Sequence, residues 1–278
     1  MHDALLPSSG ATITADELQA MSSTRRDNLR GELACPSCLA DAYFIREARN
    51  GRRACFGARP HEEGCELASL LTEDRGAAAL DEVDERINAG DVFRLEPNRT
   101  RAIQHVTHDP SAPAGSGPAA RYVKRNGSTA RISSLSMDRL LRQLVLREAF
   151  ARSKTRLILS DNTSGLVRTL CVHMSEISDR YLRKRRVYWG TIRFPRPKDN
   201  GGAWLNTGSR SSPTLVIEEE ELEALLAAKG LDDLEDLSGS FFAVVGPLRK
   251  SAGGKLLLFA DDLEWLAIRP YTEDDALN

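Results

Sequence analysis

Residues 186–194 read Arg-Val-Tyr-Trp-Gly-Thr-Ile-Arg-Phe, residues 203–206 read Ala-Trp-Leu-Asn, and residues 214–217 read Thr-Leu-Val-Ile. β-Branched and aromatic side chains dominate all three, and proline, glycine and serine fill the gaps, so three short strands are predicted. Glu218–Lys229 then reads as a helix, with Leu222, Leu225 and Leu226 facing inward and Gly230 as its stop. Strands follow at Phe241–Leu248, Lys255–Ala260 and Glu264–Ile268, the first two joined through Ser251-Ala-Gly-Gly254. Three strands, a helix and two strands is therefore the order over 186–260.

Upstream, Ser136-Met-Asp-Arg-Leu140 opens an amphipathic helix. Leu140, Leu141, Leu144, Val145 and Phe150 form its apolar stripe, while Arg139, Arg142 and Arg147 spread over the rest. Strands are predicted at Arg156–Leu159 and Leu166–Val172. Residues 109–120 are rich in proline, glycine and serine and mark a linker. Leu67 to Ala89 reads as helical, with Leu80, Val83 and Ile87 on one face. Residues 1–30 read as a flexible leader with one short helix, because Thr14-Ala-Asp-Glu17 has capping-box spacing ahead of Leu18 and Met21.

The order over 186–260 resembles the oligonucleotide/oligosaccharide-binding (OB) barrel, which buries one face of each strand and leaves strands two and three available for ligand. An SH3-like barrel or an open α+β sheet is compatible with the same pattern. The fold class read from the sequence is α+β, a small N-terminal zinc ribbon or treble-clef-like module with helices, then an amphipathic helix and a mainly β, OB-like barrel. The domains are a leader at 1–30, a zinc-binding module with a helical extension at 31–108, the linker at 109–120, and the helix plus β domain at 121–278.

Four of the five cysteines and one histidine fall within 31 residues. Cys35-Pro-Ser-Cys38 has the C-x2-C spacing of a metal knuckle, and His61 and Cys65 follow as H-x3-C. Between them, Ala42–Ile45 and Arg52–Phe56 are strand candidates around the turn-forming Asn50-Gly51. Three thiolates and an imidazole suit a tetrahedral, borderline-soft cation. One structural Zn2+ is expected on Cys35, Cys38, His61 and Cys65, with Cys55 as the alternative to His61. Four protein ligands leave no open position for water, so such a site stabilises a fold and hydrolyses nothing.

Cys35-Pro-Ser-Cys38, a hairpin, and then Arg59-Pro-His61-Glu-Glu-Gly-Cys65-Glu-Leu-Ala68 resemble the N-terminal zinc segment of bacterial competence proteins of the CoiA type, over about 35 residues. In that family the segment accompanies a nuclease domain with a carboxylate-and-lysine motif. Here Asp262-Leu-Glu264 lacks the trailing lysine. The resemblance implies zinc and a nucleic-acid context without implying an activity.

The net charge of −2 is segregated: residues 1–120 carry −6, residues 121–200 carry +13 and residues 201–278 carry −9. The basic block culminates in Arg180, Arg183, Lys184, Arg185 and Arg186, followed by Arg193 and Lys198, with Tyr188, Trp189 and Phe194 interleaved and Trp204 just beyond as a candidate groove residue. Clustered cations attract phosphates through counterion release, and aromatic faces stack unpaired bases. A period-2 strand turns only one of Tyr188 and Trp189 outward. Internal pairing is the competing explanation for the cations, with Glu218–Glu221 and Asp232–Asp236 as partners.

Catalytic signatures are missing from the sequence: there is no phosphate loop, nucleophile elbow or H-E-x-x-H motif. Cys171 and His173 read as a buried thiol and a structural histidine, and His105 and His108 carry no motif. No run of about 18 apolar residues occurs, and the first 24 residues lack a secretory pattern. The expectation is a cytoplasmic, zinc-stabilised, non-catalytic protein that binds nucleic acid, preferring single strands. The alternative is a protein-interaction subunit that docks, or self-associates, through its segregated charges and acidic C-terminal segment. A metal-dependent nuclease using Asp161, Glu176 and Asp261 is the third reading.

Overall fold

The computed structural model describes residues 1–47, 53–58, 61–68, 91–98, 132–209 and 211–271. The Asn50-Gly51 turn, His105, His108, the linker at 109–120 and nearly all of the helix expected over Leu67–Ala89 lie outside the described residues.

Residues 1–30 differ from the leader expected of them. They form a hairpin of β1 (Asp3–Leu6) and β2 (Ala11–Thr14), then α1 (Ala15–Ala20) and α2 (Ser23–Leu29). The capping box at Thr14 and Glu17 is present. Ala4, Ile13, Ala15 and Leu18 are buried with Leu33, Phe44 and Phe56 in one core, and the N-terminal amine bonds to Phe56 O. Sparse hydrophobes at 4, 13 and 18 signalled too little; they share a core with residues 30–50 positions away. This core also takes the second hairpin, β3 (Ala42–Ile45) and β4 (Cys55–Ala58). Across that hairpin Gly57 lies opposite Tyr43, and a Cβ at Gly57 would stand 2.6 Å from the Tyr43 ring, so the glycine makes room for the buried tyrosine.

A four-stranded sheet of order β6-β5-β7-β8 was legible from the sequence at β7 but not at β5 or β6. It comprises β5 (Val92–Glu96), β6 (Ile132–Ser136), β7 (Arg156–Ile158) and β8 (Ser164–Leu166), with β5 parallel to both neighbours. The amphipathic helix α3 (Met137–Leu146) connects β6 toward β7, with Ser136 Oγ accepting from the Arg139 N–H. Its Leu140, Leu141 and Leu144 are fully buried, each stabilising the fold by about 1.5–3 kcal/mol through removal from water. The helix stops at Leu146, and Phe150 joins the same core from the short α4 (Glu148–Ala151). The single strand expected at Leu166–Val172 is split by one helical turn, α5 (Val167–Leu170), which precedes β9 (Cys171–His173).

The eight-stranded sheet holds the remaining elements: β9, β10 (Arg185–Thr191), β11 (Phe194–Pro197), β12 (Ala203–Asn206), β13 (Thr214–Ile217), β14 (Phe241–Lys250), β15 (Leu256–Phe259) and β16 (Leu266–Arg269). Its order is β11-β12-β13-β15-β14-β10-β9, with β16 also on β14. The helix α6 (Glu219–Lys229) lies between β13 and β14 and ends at Gly230, whose φ of 63° is the left-handed stop expected there.

The hydrogen-bonded ladder does not close into a barrel. At Ile192 and Arg193 the chain bends and exchanges partners: the Ile192 N–H bonds to Ser240 O, and the Arg193 N–H to Asn206 O. Beyond the bend, Pro195 and Pro197 have no N–H to donate, which keeps β11 an edge. The outer face of the sheet also departs from expectation. Along β14, Phe241, Ala243 and Val245 join the core under α3, while Phe242, Val244 and Leu248 fill the inside of the curl. β10 does the same with Val187 and Tyr188. This middle of the sheet is buried on both faces, which accounts for the unbroken apolar run at 241–245.

Candidate functional site

The two halves of the chain are docked together. Ser238 Oγ is buried 3.0 Å from both Phe44 O and Arg193 O, and Tyr43, Ile45 and Tyr271 form a small shared core. Around it Arg46 engages Asp236 at 3.0 Å and Asp233 at 3.2 Å, and Arg30 reaches Glu235 at 3.3 Å. Asp233, Glu235 and Asp236 are thus paired with arginines of the N-terminal half.

On the docked module, Cys35, Cys38, His61 and Cys65 bring one ligand atom each to within 4.8 Å of all the others. Cys35 Sγ lies 3.8 Å from Cys65 Sγ, and His61 Nδ1 lies 3.3 Å from the sulfurs of Cys38 and Cys65. The four residues could hold a metal ion. Cys55 is not among them: it sits on β4 opposite Ile45 and packs against the shared core.

Of the knuckle's two thiols, the surroundings favour the thiolate at Cys38 and oppose it at Cys35. Burial raises the Cys38 pKa, but N–H groups of Glu62 and Ala40, then His61 and Cys65, outweigh it and bring the thiol down to about 6. Burial pushes the Cys35 thiol up, opposed by the N–H groups of Cys38 and Ser37. At the end of the knuckle Leu39 adopts φ 61° and donates its N–H to Cys35 O at 2.9 Å, with its side chain 64% exposed. A side chain in the left-handed region costs about 1–2 kcal/mol, and glycine removes that cost while adding about 0.5–1 kcal/mol of unfolded-state entropy. Leu39→Gly is therefore expected to raise unfolding stability by about 0.5–1 kcal/mol, read from the urea midpoint of the N-terminal module. A lowered midpoint would contradict this account of the turn.

The basic block does not form one surface. Arg185 pairs with Asp161 at 3.2 Å and also with Asp261, beside Ser160 Oγ at 2.9 Å. Those two carboxylates are thereby tied to a cation, and Glu176 lies apart from them in a different cleft, so the three do not assemble a site. Arg193 lies between Asp41 at 3.9 Å and the Tyr43 ring at 5.7 Å. Arg180 stacks on Tyr181, half-buried Arg186 donates to Arg185 O, and Arg183 and Lys184 are exposed just before β10. Tyr188 is corrected outright: it is fully buried, its hydroxyl donates to Lys184 O at 2.9 Å, and it offers no stacking face. Trp189 packs partly on the core under α3, edge-on to His173 at 4.7 Å.

Lys198 and Trp204 instead meet residues that sequence reasoning missed. Ala203 and Leu205 of β12, Leu215 and Ile217 of β13, Leu248 of β14 and Leu258 of β15 fill the inside of the curl. Alternation turns Trp204, Phe259 and Arg249 to the outside, along with Val216, which is itself buried. Cα pairing then aligns Arg196, Trp204, Val216 and Phe259 in a row across four strands, about 14 Å long at roughly 4.8 Å per strand. Cations border it. Lys198 Nζ is 5.7 Å from the Trp204 ring and bonds Glu218 at 2.6 Å; Arg249 lies 5.0 Å over Phe259; Lys255 Nζ is 3.1 Å from Asn206 Oδ1. Burial, then the charge of Arg196, holds the Lys255 pKa below its usual value. The period-2 pattern around Trp204 carried this signal, but pairing partners had to be known before residues 50 positions apart could share a row.

Two further clusters complete the picture. Cys171 is buried, and burial pushes its thiol up, as for a structural cysteine. His173 caps the following turn, its Nδ1 accepting from the Ser175 N–H at 3.3 Å and lying 2.7 Å from Ser175 Oγ. Among the described residues no helix is long and apolar enough to cross a membrane.

No family model and no curated protein matches the chain. A solved structure described as OBody AM1L10 bound to hen egg-white lysozyme is similar over 36% of this chain and 93% of that chain, at 11% identity and a TM-score of 0.26.

Proposed function

We propose that this is a zinc-stabilised, non-catalytic nucleic-acid-binding protein of the cytoplasm, and that it takes single strands on the outer face of its curled sheet. The observation that carries the reading is the pair of half-buried aromatics Trp204 and Phe259, aligned across buried Val216 and bordered by Arg196, Lys198, Arg249 and Lys255. Aromatic faces stack any base, cations hold the phosphates, and a shallow strip suits exposed bases better than a duplex. Counting β10 and β11 as one bent strand, the order β11-β12-β13-β15-β14-β10 supports an OB-like reading in which β12 and β13 are the second and third strands. Zinc is the cation whose chemistry fits three thiolates and an imidazole.

Titration of fluorescent single-stranded and duplex oligonucleotides at several salt concentrations tests this. Three cations on the strip, Arg196, Arg249 and Lys255 (Lys198 being paired with Glu218), give an expected log–log salt slope of about −2 for single strands, with weaker duplex binding. Binding that ignores salt, or that prefers duplex, overturns the reading.

A protein-docking subunit is the second reading, supported by the exposed carboxylates of Glu218, Glu219, Glu220 and Glu223 around α6. A salt-sensitive oligomer in light scattering, with no oligonucleotide binding, would favour it.

A further inference from the structure

A cleft of about 980 Å3 opens where the metal module meets the curled sheet, distinct from the outer strip. The loop between ligands His61 and Cys65 contributes Glu62 and Glu63; Arg152 comes from just after α4 and Arg168 from α5. Trp189 supplies the aromatic wall, steadied edge-on by His173, whose ring is itself fixed through Ser175. Glu62, Glu63, Arg152 and Arg168 are all exposed to the opening.

The lining combines cations (Arg152, Arg168 and Arg193), carboxylates (Asp41, Glu62, Glu63 and Glu176) and the planar ring of Trp189. A ligand matching all three carries a phosphate, a flat ring and a hydrogen-bond donor. We propose that the cleft is a nucleotide pocket selective for bases with an exocyclic amine. The phosphate lies against Arg152 and Arg168, the base stacks on Trp189, and the amine donates to Glu62 or Glu63. A carboxylate accepts from the cytosine amine and has nothing to accept from the corresponding uracil oxygen, which it repels. The volume is that of small-molecule pockets and admits a nucleotide with water. The proposal deepens the nucleic-acid reading and rests on it, yet it concerns a separate site. It also gives the metal loop a role beyond holding the module together, because the two selecting carboxylates stand between two metal ligands.

The test is calorimetric titration of the zinc-loaded full chain with cytidine monophosphate and uridine monophosphate. The cytidine nucleotide is expected to bind about tenfold more tightly, a carboxylate-to-amine contact being the difference. Arg168→Glu is expected to weaken both by about tenfold or more, and Glu63→Gln to shrink the difference between them. Both positions are exposed, so folding is not at stake. Equal binding of the two nucleotides, no binding of either, or indifference to Arg168→Glu overturns the proposal. A parallel titration with a single-stranded oligonucleotide separates the readings. Oligonucleotide binding without nucleotide binding overturns the pocket alone; nucleotide binding without oligonucleotide binding overturns the outer strip alone.

Discussion

Removing metal is expected to unfold the N-terminal module and leave the eight-stranded sheet standing. The four ligands come from two loops 23 or more residues apart in sequence, Cys35–Cys38 and His61–Cys65. The core beneath them is small and built mainly from alanines, two leucines and two phenylalanines. A core of that size supplies little stability by itself, whereas structural zinc contributes an apparent binding free energy of about 10–16 kcal/mol at neutral pH. Chelation should therefore abolish amide-exchange protection in β3 and β4 and in the bridge between Leu5 and Ala34, while β10 and β14 keep theirs. Cys65→Ser should act in the same way. Unchanged protection of β3 and β4 in excess chelator would show that the cluster holds no structural ion.

The second large effect is expected at Gly246. A Cβ there would stand 1.9 Å from Phe259 O, inside any permitted contact, and the obstacle is backbone on the neighbouring β15. Flexible side chains can move aside, but this carbonyl can shift only with its strand. Gly246→Ala should therefore cost at least about 3–4 kcal/mol, beyond the usual range of overpacking. Gly253→Ala is the control, since its nearest neighbour is 3.9 Å away and its effect should stay within about 0.5 kcal/mol. Urea denaturation of the two variants checks the pair. Near-native stability of Gly246→Ala would mean that β14 and β15 do not approach as described.

Local chemistry was the legible part of this chain. The capping box at Thr14, the helix start at Ser136, the glycine stop at 230 and the strands 42–45, 203–206 and 214–217 all follow from neighbouring residues. The ligand quartet was legible for the same reason, because knuckle spacing is a local rule and thiolate chemistry narrows the rest. What failed depended on distance. β5 and β6 are parallel partners whose pairing is separated by some 40 residues; β5 alternates over only five residues, and β6 has a single buried position. The basic block was read as one surface because its residues adjoin in sequence. In the fold, Tyr188 faces the interior, Arg185 is held by two aspartates, and Arg193 belongs to the docking seam. The strip that replaces it joins Arg196, Trp204, Arg249 and Phe259, which only strand pairing brings together.

Trp204 is where the functional account is most exposed to test. It sits half-buried on the outer face, outside every core cluster, so Trp204→Ala should leave the fold intact. Fluorescence anisotropy of a single-stranded oligonucleotide with the zinc-loaded wild type and Trp204→Ala, at one low salt concentration, is the decisive comparison. Loss of one stacking platform is expected to weaken binding by about 1–3 kcal/mol, roughly five- to a hundredfold. Affinity equal to that of the wild type would contradict the outer strip as the binding face.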